Sequence, residues 1–180
     1  MIQIKIHGRG GQGAVTAAYL LAIAGFKNKF YTQAFPKFGT ERTGSPVESY
    51  VRLSKNKIIT RSPIKEPDYV LVLDPSLKDV VNVFEGVKKS TLVIINTNKK
   101  IEYDNCKVIT IDLSEIMPDI NTSKMLNVGM ISAFLAITDI ININNLLLSL
   151  KEIFNDEILN KNKYVAEKIY TEVRKEMLKI

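Results

Sequence analysis

The residues with the clearest capacity for chemistry form one glycine-rich segment near the start of the chain, Gly8 to Gly13, with the sequence G-R-G-G-Q-G. It fits the pattern G-x-G-x-x-G, which binds dinucleotides when it joins a strand to a helix. Alternating apolar residues precede it at positions 2, 4 and 6, and small residues from Ala14 to Ala24 follow it. The segment predicts a strand, a tight turn and a helix whose first N–H groups approach an anionic ligand.

The sequence constrains the kind of ligand less than it constrains the strand, turn and helix. Dinucleotide binding usually also requires an acidic residue about 20 positions beyond the glycines, where it binds the ribose hydroxyls. The segment from Lys27 to Phe38 contains lysines but no carboxylate, and the first acid after the turn is Glu41. Two interpretations follow: the glycines contact an anionic group, which we favour, or they only allow the helix to pack closely on the strand.

Soft metal ligands are scarce, since the chain has one cysteine, Cys106, and one histidine, His7. One cysteine excludes an internal disulfide, and an iron–sulfur cluster or a structural zinc usually needs about four ligands. We therefore predict that the chain holds no metal and that any electron transfer uses another chain or an organic cofactor.

His7 stands at the end of the first predicted strand, beside the glycines. An unperturbed histidine titrates near pH 6.5, which suits a catalytic base. No nucleophilic serine or cysteine accompanies it at a fixed spacing. We favour a structural histidine bonded to backbone and assign no catalytic residue.

The 180 residues, 46% of them hydrophobic, predict one α/β domain over residues 1–180. The net charge of +6 comes from lysines that are mostly interleaved with acids, which favours a solvated surface over nucleic-acid binding. The start of the chain lacks the apolar core of a signal peptide, and no apolar run reaches the roughly 20 residues of a membrane span. These features predict a cytoplasmic protein that binds neither nucleic acid nor membrane.

A loop with two prolines and two glycines, from Phe35 to Pro46, follows a short predicted strand from Phe30 to Ala34. It keeps Phe35, Phe38, Glu41 and Arg42 together, so we expect a contact element. The alternative is a loop that folds its own aromatic residues beneath itself. Val47 to Leu53 and Lys57 to Arg61 then predict an antiparallel hairpin.

Continuous apolar runs bounded by polar residues are typical of a parallel sheet covered on both faces. The chain has three such runs, Tyr69 to Asp74, Leu92 to Asn96 and Val108 to Ile111. We expect a crossover from Ser76 to Phe84 that Ser76 caps, and a C-cap of the first helix at Gly25. Three further helices are predicted over Asn127 to Ile137, Leu146 to Phe154 and Tyr164 to Leu178, with an Asn-rich connector over Asn142 to Asn145. The predicted fold is a doubly wound, mostly parallel Rossmann-like α/β sheet with an inserted antiparallel hairpin and C-terminal helices.

Two separated motifs resemble the gamma subunit of 2-oxoacid:ferredoxin oxidoreductases, closest to the pyruvate branch. The family begins with a G-R-G-G-Q-G turn, and its second motif resembles F-G-P-E-R-R-G-A-P-V. The segment Phe38 to Val47 reads F-G-T-E-R-T-G-S-P-V and departs at Thr40, Thr43 and Ser45. Further similarity lies at Asp74 and around Asn127, and it weakens after about Leu146.

The resemblance implies a non-redox subunit of a complex that converts a 2-oxoacid to acyl-CoA and CO2 and reduces ferredoxin. It implies alpha, beta and delta-type partner subunits, with thiamine diphosphate, coenzyme A and iron–sulfur clusters in the complex and none held by this chain alone. The implied coenzyme A or anion contacts are Gly8, Arg9, Gly10, Gly11, Gln12 and Gly13. The implied interface residues are Phe35, Phe38, Gly39, Glu41, Arg42, Gly44 and Pro46. The alternative is a stand-alone nucleotide-binding Rossmann-like module.

Overall fold

A computed structural model of the chain describes residues 1–37, 43–120 and 124–179. In chain order these residues form β1 (Ile2–Arg9), α1 (Ala14–Lys27), β2 (Tyr31–Pro36), β3 (Pro46–Ser54), β4 (Tyr69–Val72), a 3₁₀ helix (Pro75–Asp79), β5 (Leu92–Asn96), β6 (Lys107–Ile111), α2 (Leu113–Ile116), α3 (Leu126–Thr138), α4 (Ile143–Ile153) and α5 (Asp156–Met177).

The strands form one sheet in the order β2-β3-β1-β4-β5-β6. β1, β4, β5 and β6 pair in parallel, and β3 pairs antiparallel with both β1 and β2. β3 is thus the single strand that opposes the other five within the described sheet. The predicted α/β class and the mostly parallel sheet are confirmed.

The antiparallel hairpin exists, but its predicted second strand is wrong. β3 pairs with β2, in the register Tyr31 to Ser54, and residues 57–61 form no strand. The chain after β3 instead crosses the face of the sheet that the long helices leave open. There the buried Arg52 side chain donates to Ser62 O, and Ile64 is buried.

Helices and shorter segments cover opposite faces of the sheet. One core joins Ile4, Ile6 and Leu71 to helices α1, α3, α4 and α5. A smaller core on the other face joins alternate residues of β4 and β5 to the chain that follows β4, and contains Val70, Val72, Leu77, Val83, Val93 and Ile95. Both faces of the parallel strands β4 and β5 are therefore buried, as their continuous apolar sequence requires, whereas the edge strand β6 is mostly half-buried.

Several predicted helix boundaries need correction. The crossover contains only the 3₁₀ helix, and Asp74 caps it by accepting from Ser76 N. Gly25 lies inside α1, where a Cβ atom would come within 2.6 Å of Leu53 Cδ2, so this glycine serves close packing and not a helix end. Asn142 caps α4, whose first turn includes the rest of the predicted Asn-rich connector.

Helix α5 begins at Asp156, earlier than predicted, and helix α3 begins one residue before its predicted cap, Asn127. No helix within the described residues is long and apolar enough to cross a membrane.

Candidate functional site

The glycine segment forms the turn between β1 and α1. Gly11 and Gly13 have φ angles of 96° and 77°, in the left-handed region that glycine adopts without steric cost. Gly13 is the N-cap of α1, and no side chain within the described residues caps this helix. The first N–H groups of α1 thus keep their capacity to bind an acceptor. The predicted strand, turn and helix are confirmed.

The turn is joined directly to the second motif by backbone hydrogen bonds. Gly10 N donates to Ser45 O at 2.8 Å, and Gly44 N donates to Gly10 O at 3.0 Å. Gly44 has a φ angle of 83°, so a side chain there would be strained. Pro46 starts β3 directly opposite Arg9 of β1. The two motifs that are separated in the sequence therefore form one structure.

A polar network fixes the same junction from its other side. Arg9 Nε donates to Asp74 Oδ2 at 3.1 Å, Arg9 Nη1 to Gly44 O at 3.0 Å and Arg9 Nη2 to Ser76 Oγ at 2.7 Å. Gln12 Nε2 also donates to Asp74 Oδ2, at 3.1 Å, and Gln12 Oε1 accepts from Arg9 N. Arg9 and Gln12 thus use their polar groups inside the chain.

Asp74 is ionised at neutral pH in this environment. Partial burial raises its pKa, but hydrogen bonds from Ser76 and Gln12 and the charge of Arg9 outweigh burial and hold the pKa below its usual value. Each carboxylate oxygen accepts two hydrogen bonds, from Ser76 N and Oγ on Oδ1 and from Arg9 and Gln12 on Oδ2. A carboxylate has about four acceptor sites, so none is left for a ribose.

Sequence reasoning did not place Asp74 in the site. The sequence signal was the position of Asp74, two residues after the buried strand β4. β4 lies next to β1, and the carboxyl ends of parallel strands share one edge of the sheet.

A cavity of about 400 Å³ lies between the turn and the second motif. It is lined from one side by the turn and the first turn of α1, and from the other by the start of β3 and the residue before Gly44. The lining residues are Arg9, Gly10, Gly11, Gly13, Ala14, Val15, Thr16, Thr43 and Val47. A cavity that combines glycine backbone with an uncapped helix N-terminus suits an anionic group.

Asn127 packs against this turn from α3. Its Nδ2 lies 3.4 Å from Gly13 O, and a Cβ atom on Gly13 would come within 2.6 Å of that nitrogen. Asn127 therefore fits the backbone of Gly13 and does not cap α3, whose N-cap is Met125.

The predicted interface residues have different environments. Phe35 is half-buried in β2, with its ring 5.1 Å from the Tyr50 ring and beneath the Arg52 guanidinium. Gly44 and Pro46 are exposed. Phe38, Gly39, Glu41 and Arg42 lie outside the described residues, so their interface role stays a prediction.

His7 is 5% exposed, and its Nε2 has no hydrogen-bond partner among the residues that the structure describes. The predicted hydrogen bond between the His7 ring and the backbone is therefore not made by Nε2. Burial outweighs the neighbouring Glu48 carboxylate and lowers the pKa of His7 from 6.5 to about 4. The imidazole is neutral at physiological pH.

This depressed pKa predicts a pH-dependent stability. The unfolded chain binds more protons than the folded chain between the two pKa values, so the free energy of unfolding increases as pH rises from about 4 to 6.5. The contribution of His7 to the free energy of unfolding, about 3 kcal/mol, is fully present above pH 6.5 and is lost as pH falls toward 4. Urea unfolding of the parent and of His7→Gln at several pH values measures this contribution. A pH dependence of equal size in both proteins would contradict the prediction.

No group of three or more histidine, cysteine, aspartate or glutamate residues that could bind a metal occurs in residues 1–37, 43–120 and 124–179. The prediction that iron–sulfur clusters belong to other chains stays a prediction.

Fold and site together define an α/β protein with a glycine turn, a second loop and a cavity at one sheet edge. Among protein families, that of pyruvate ferredoxin/flavodoxin oxidoreductase matches residues 3–172. The chain belongs to this family.

Several relatives match almost the whole chain. Pyruvate synthase subunit PorC of Methanothermobacter marburgensis is 42% identical over 174 residues, which span 97% of this chain and 98% of the relative. The pyruvate/ketoisovalerate oxidoreductases common subunit gamma of Thermococcus kodakarensis is 40% identical over 177 residues, which span 94% of this chain and 96% of the relative. The resemblance to gamma subunits of 2-oxoacid:ferredoxin oxidoreductases is confirmed.

Solved structures share the fold. Pyruvate oxidoreductase subunit PORC of Thermotoga maritima has a TM-score of 0.76 at 24% identity, over 97% of this chain and 95% of that chain. The 2-oxoglutarate:ferredoxin oxidoreductase of Magnetococcus marinus, solved with 2-oxoglutarate, coenzyme A and succinyl-CoA, has a TM-score of 0.75 at 19% identity. The match covers 97% of this chain and 31% of that longer chain.

Proposed function

We propose that this chain is the subunit that binds the anionic part of coenzyme A in a pyruvate:ferredoxin oxidoreductase. The observation that carries the proposal is the cavity between the glycine turn and residues 43–47, where two family motifs meet. The presence of coenzyme A in the Magnetococcus marinus structure supports this choice of ligand. Pyruvate is favoured because both sequence relatives carry it in their names.

The anion is bound by backbone groups in this proposal. The phosphate groups of coenzyme A are negative. The first turn of α1, which no side chain in the described part of the chain caps, attracts such a group with the N-terminal end of its dipole. Arg9 lines the cavity, but its guanidinium is paired with Asp74 and so adds little net charge. The chain orients coenzyme A. The acyl group that coenzyme A accepts is formed elsewhere in the complex.

We place the remaining chemistry on alpha, beta and delta-type partners in the cytoplasm. Thiamine diphosphate would decarboxylate the 2-oxoacid, and iron–sulfur clusters would carry electrons to ferredoxin. The single cysteine of this chain supports that division, because clusters are usually bound by four cysteines.

A charge placed at the first turn of α1 tests the anion site. Thr16 lines the cavity and is half-exposed, and a glutamate at this third helical position is favourable for the helix itself. We expect Thr16→Glu to raise the KM for coenzyme A at least about tenfold through repulsion, a difference of about 1.4 kcal/mol. The assay measures pyruvate-dependent reduction of a viologen dye by the reconstituted complex.

Thr16→Gln is the matched control, because it has the size of glutamate without the charge, and its KM should remain within about threefold of the parent value, or about 0.7 kcal/mol. Equal KM values for the two variants would refute an anion at this turn. The isolated chain should show no turnover. If it bound NAD, FAD or ATP with micromolar affinity, the alternative of a stand-alone nucleotide-binding module would replace our proposal.

A further inference from the structure

Asp74 accepts hydrogen bonds from two side chains of the turn, Arg9 and Gln12, and Arg9 also contacts the second motif. We infer that Asp74 is a positioning residue of the anion site, which acts through Arg9 and Gln12 to keep the glycine turn against residues 43–46. The inference rests on the proposed function, because it assumes that an anion binds at this turn.

The contacts lead from the end of β4 to the turn without a break. Asp74 Oδ2 accepts from Arg9 Nε and from Gln12 Nε2, both at 3.1 Å. The same Arg9 side chain donates to Gly44 O at 3.0 Å, and Gly44 N donates to Gly10 O. One carboxylate oxygen therefore orients both side chains of the turn, and one of these side chains holds the second motif.

The other oxygen of Asp74 fixes the carboxylate itself. Oδ1 accepts from Ser76 N at 3.0 Å and from Ser76 Oγ at 2.6 Å, at the start of the 3₁₀ helix. Asp74 follows β4 by two residues, and β4 is paired in parallel with β1, so this anchor lies next to the sheet. The Asp74 side chain thus holds the turn in place relative to the sheet, although Asp74 does not line the cavity.

Charge also matters at this position. Arg9 is the single basic side chain among the described residues that line the cavity, and Asp74 is its ion-pair partner. An asparagine at position 74 keeps an acceptor for Ser76 but places an NH2 group against two other donors, Arg9 Nε and Gln12 Nε2. The turn then loses the support of the Asp74 carboxylate, while its backbone hydrogen bonds to Gly44 and Ser45 and the identity of the cavity-lining residues are unchanged.

The test measures KM and kcat for coenzyme A in the reconstituted complex containing Asp74→Asn. We expect KM to rise about tenfold while kcat stays within threefold, because a displaced turn weakens binding of coenzyme A without touching the reacting groups. Asp79→Asn makes the same chemical change at an exposed position, the last residue of the 3₁₀ helix that Asp74 caps, and should leave both constants unchanged. An unchanged or lower KM, or a loss confined to kcat, would overturn the inference.

A double-variant comparison separates positioning from simple loss of stability. If Asp74 acts through Arg9, Arg9→Met combined with Asp74→Asn should raise KM no further than the more severe single variant. If the rise in KM of the double variant equals the product of the two single rises, the inference is overturned. Gln12→Met leaves the ion pair in place but removes one contact of Asp74 and the hydrogen bond that Gln12 Oε1 accepts from Arg9 N. We expect it to raise KM about fivefold even if Asp74→Asn does not assemble, and a KM within threefold of the parent value would overturn the inference.

The outcome for Thr16→Glu distinguishes this inference from the proposed function. If Thr16→Glu raises KM and the Asp74 variant does not, the anion site stands and the positioning role fails. If neither variant changes KM, the anion site itself is wrong.

Discussion

Replacing Gly13 with alanine is expected to lower the free energy of unfolding by about 3 kcal/mol, because two costs act at this position. The left-handed backbone, with φ at 77°, strains any residue with a Cβ atom. That atom would also come within 2.6 Å of Asn127 Nδ2, which is closer than real Cβ contacts allow. Urea unfolding of the purified chain measures the loss.

Gly11 is the matched control for this prediction. Its φ angle of 96° carries the same kind of backbone strain, but nothing lies within 4 Å of an added Cβ atom. Gly11→Ala should therefore cost only about 1 kcal/mol. Asn127→Ala in the Gly13→Ala background should restore part of the stability by removing the crowded group. Equal losses at Gly11 and Gly13 would show that the contact with Asn127 is unimportant.

Arg42→Ala is expected to weaken assembly with the partner subunits by roughly 2 to 5 kcal/mol, because an arginine buried at an interface leaves its partner charge unpaired when it is removed. Arg42 lies in the second motif, outside the described residues, between β2 and the junction with the glycine turn. Its guanidinium suits a bidentate contact with a carboxylate or phosphate from a partner chain or cofactor. Binding of the variant to the remaining subunits, with and without coenzyme A and thiamine diphosphate, measures the effect.

Arg61→Ala provides the comparison, since Arg61 is exposed in the segment after β3. Removing an exposed arginine typically costs well under about 1 kcal/mol. If Arg42→Ala changes both assembly and turnover by less than about threefold, or about 0.7 kcal/mol, the loop from Phe35 to Val47 is not the proposed partner contact.

Elements whose signals are local could be predicted from the sequence. The glycine pattern between alternating residues and small residues identified the turn between β1 and α1, because both periodicity and turn chemistry are encoded within about 20 residues. The apolar run Leu92 to Asn96 coincides with β5, since a strand buried on both faces has a recognisable composition. The two glycine-containing motifs were also sufficient to identify the family.

Features that depend on contacts between distant segments became visible in the folded chain. Local alternation cannot choose a strand's partner, and β3 pairs with β2 and β1 instead of with the residues that follow it. His7 has the sequence features of a titratable group near a turn, but burial on the sheet keeps it neutral. Asn127 has the residue type of a helix cap, but in the folded chain it packs on Gly13.

The site itself shows the same division. The sequence contained both motifs, Gly8 to Gly13 and Phe38 to Val47, but not the hydrogen bonds between Gly10 and Ser45 and between Gly44 and Gly10 that unite them. It also contained Asp74, 65 positions beyond Arg9, without a spacing that would connect the two. The parallel pairing of β4 with β1 brings them together, because it places the carboxyl ends of both strands at one edge of the sheet.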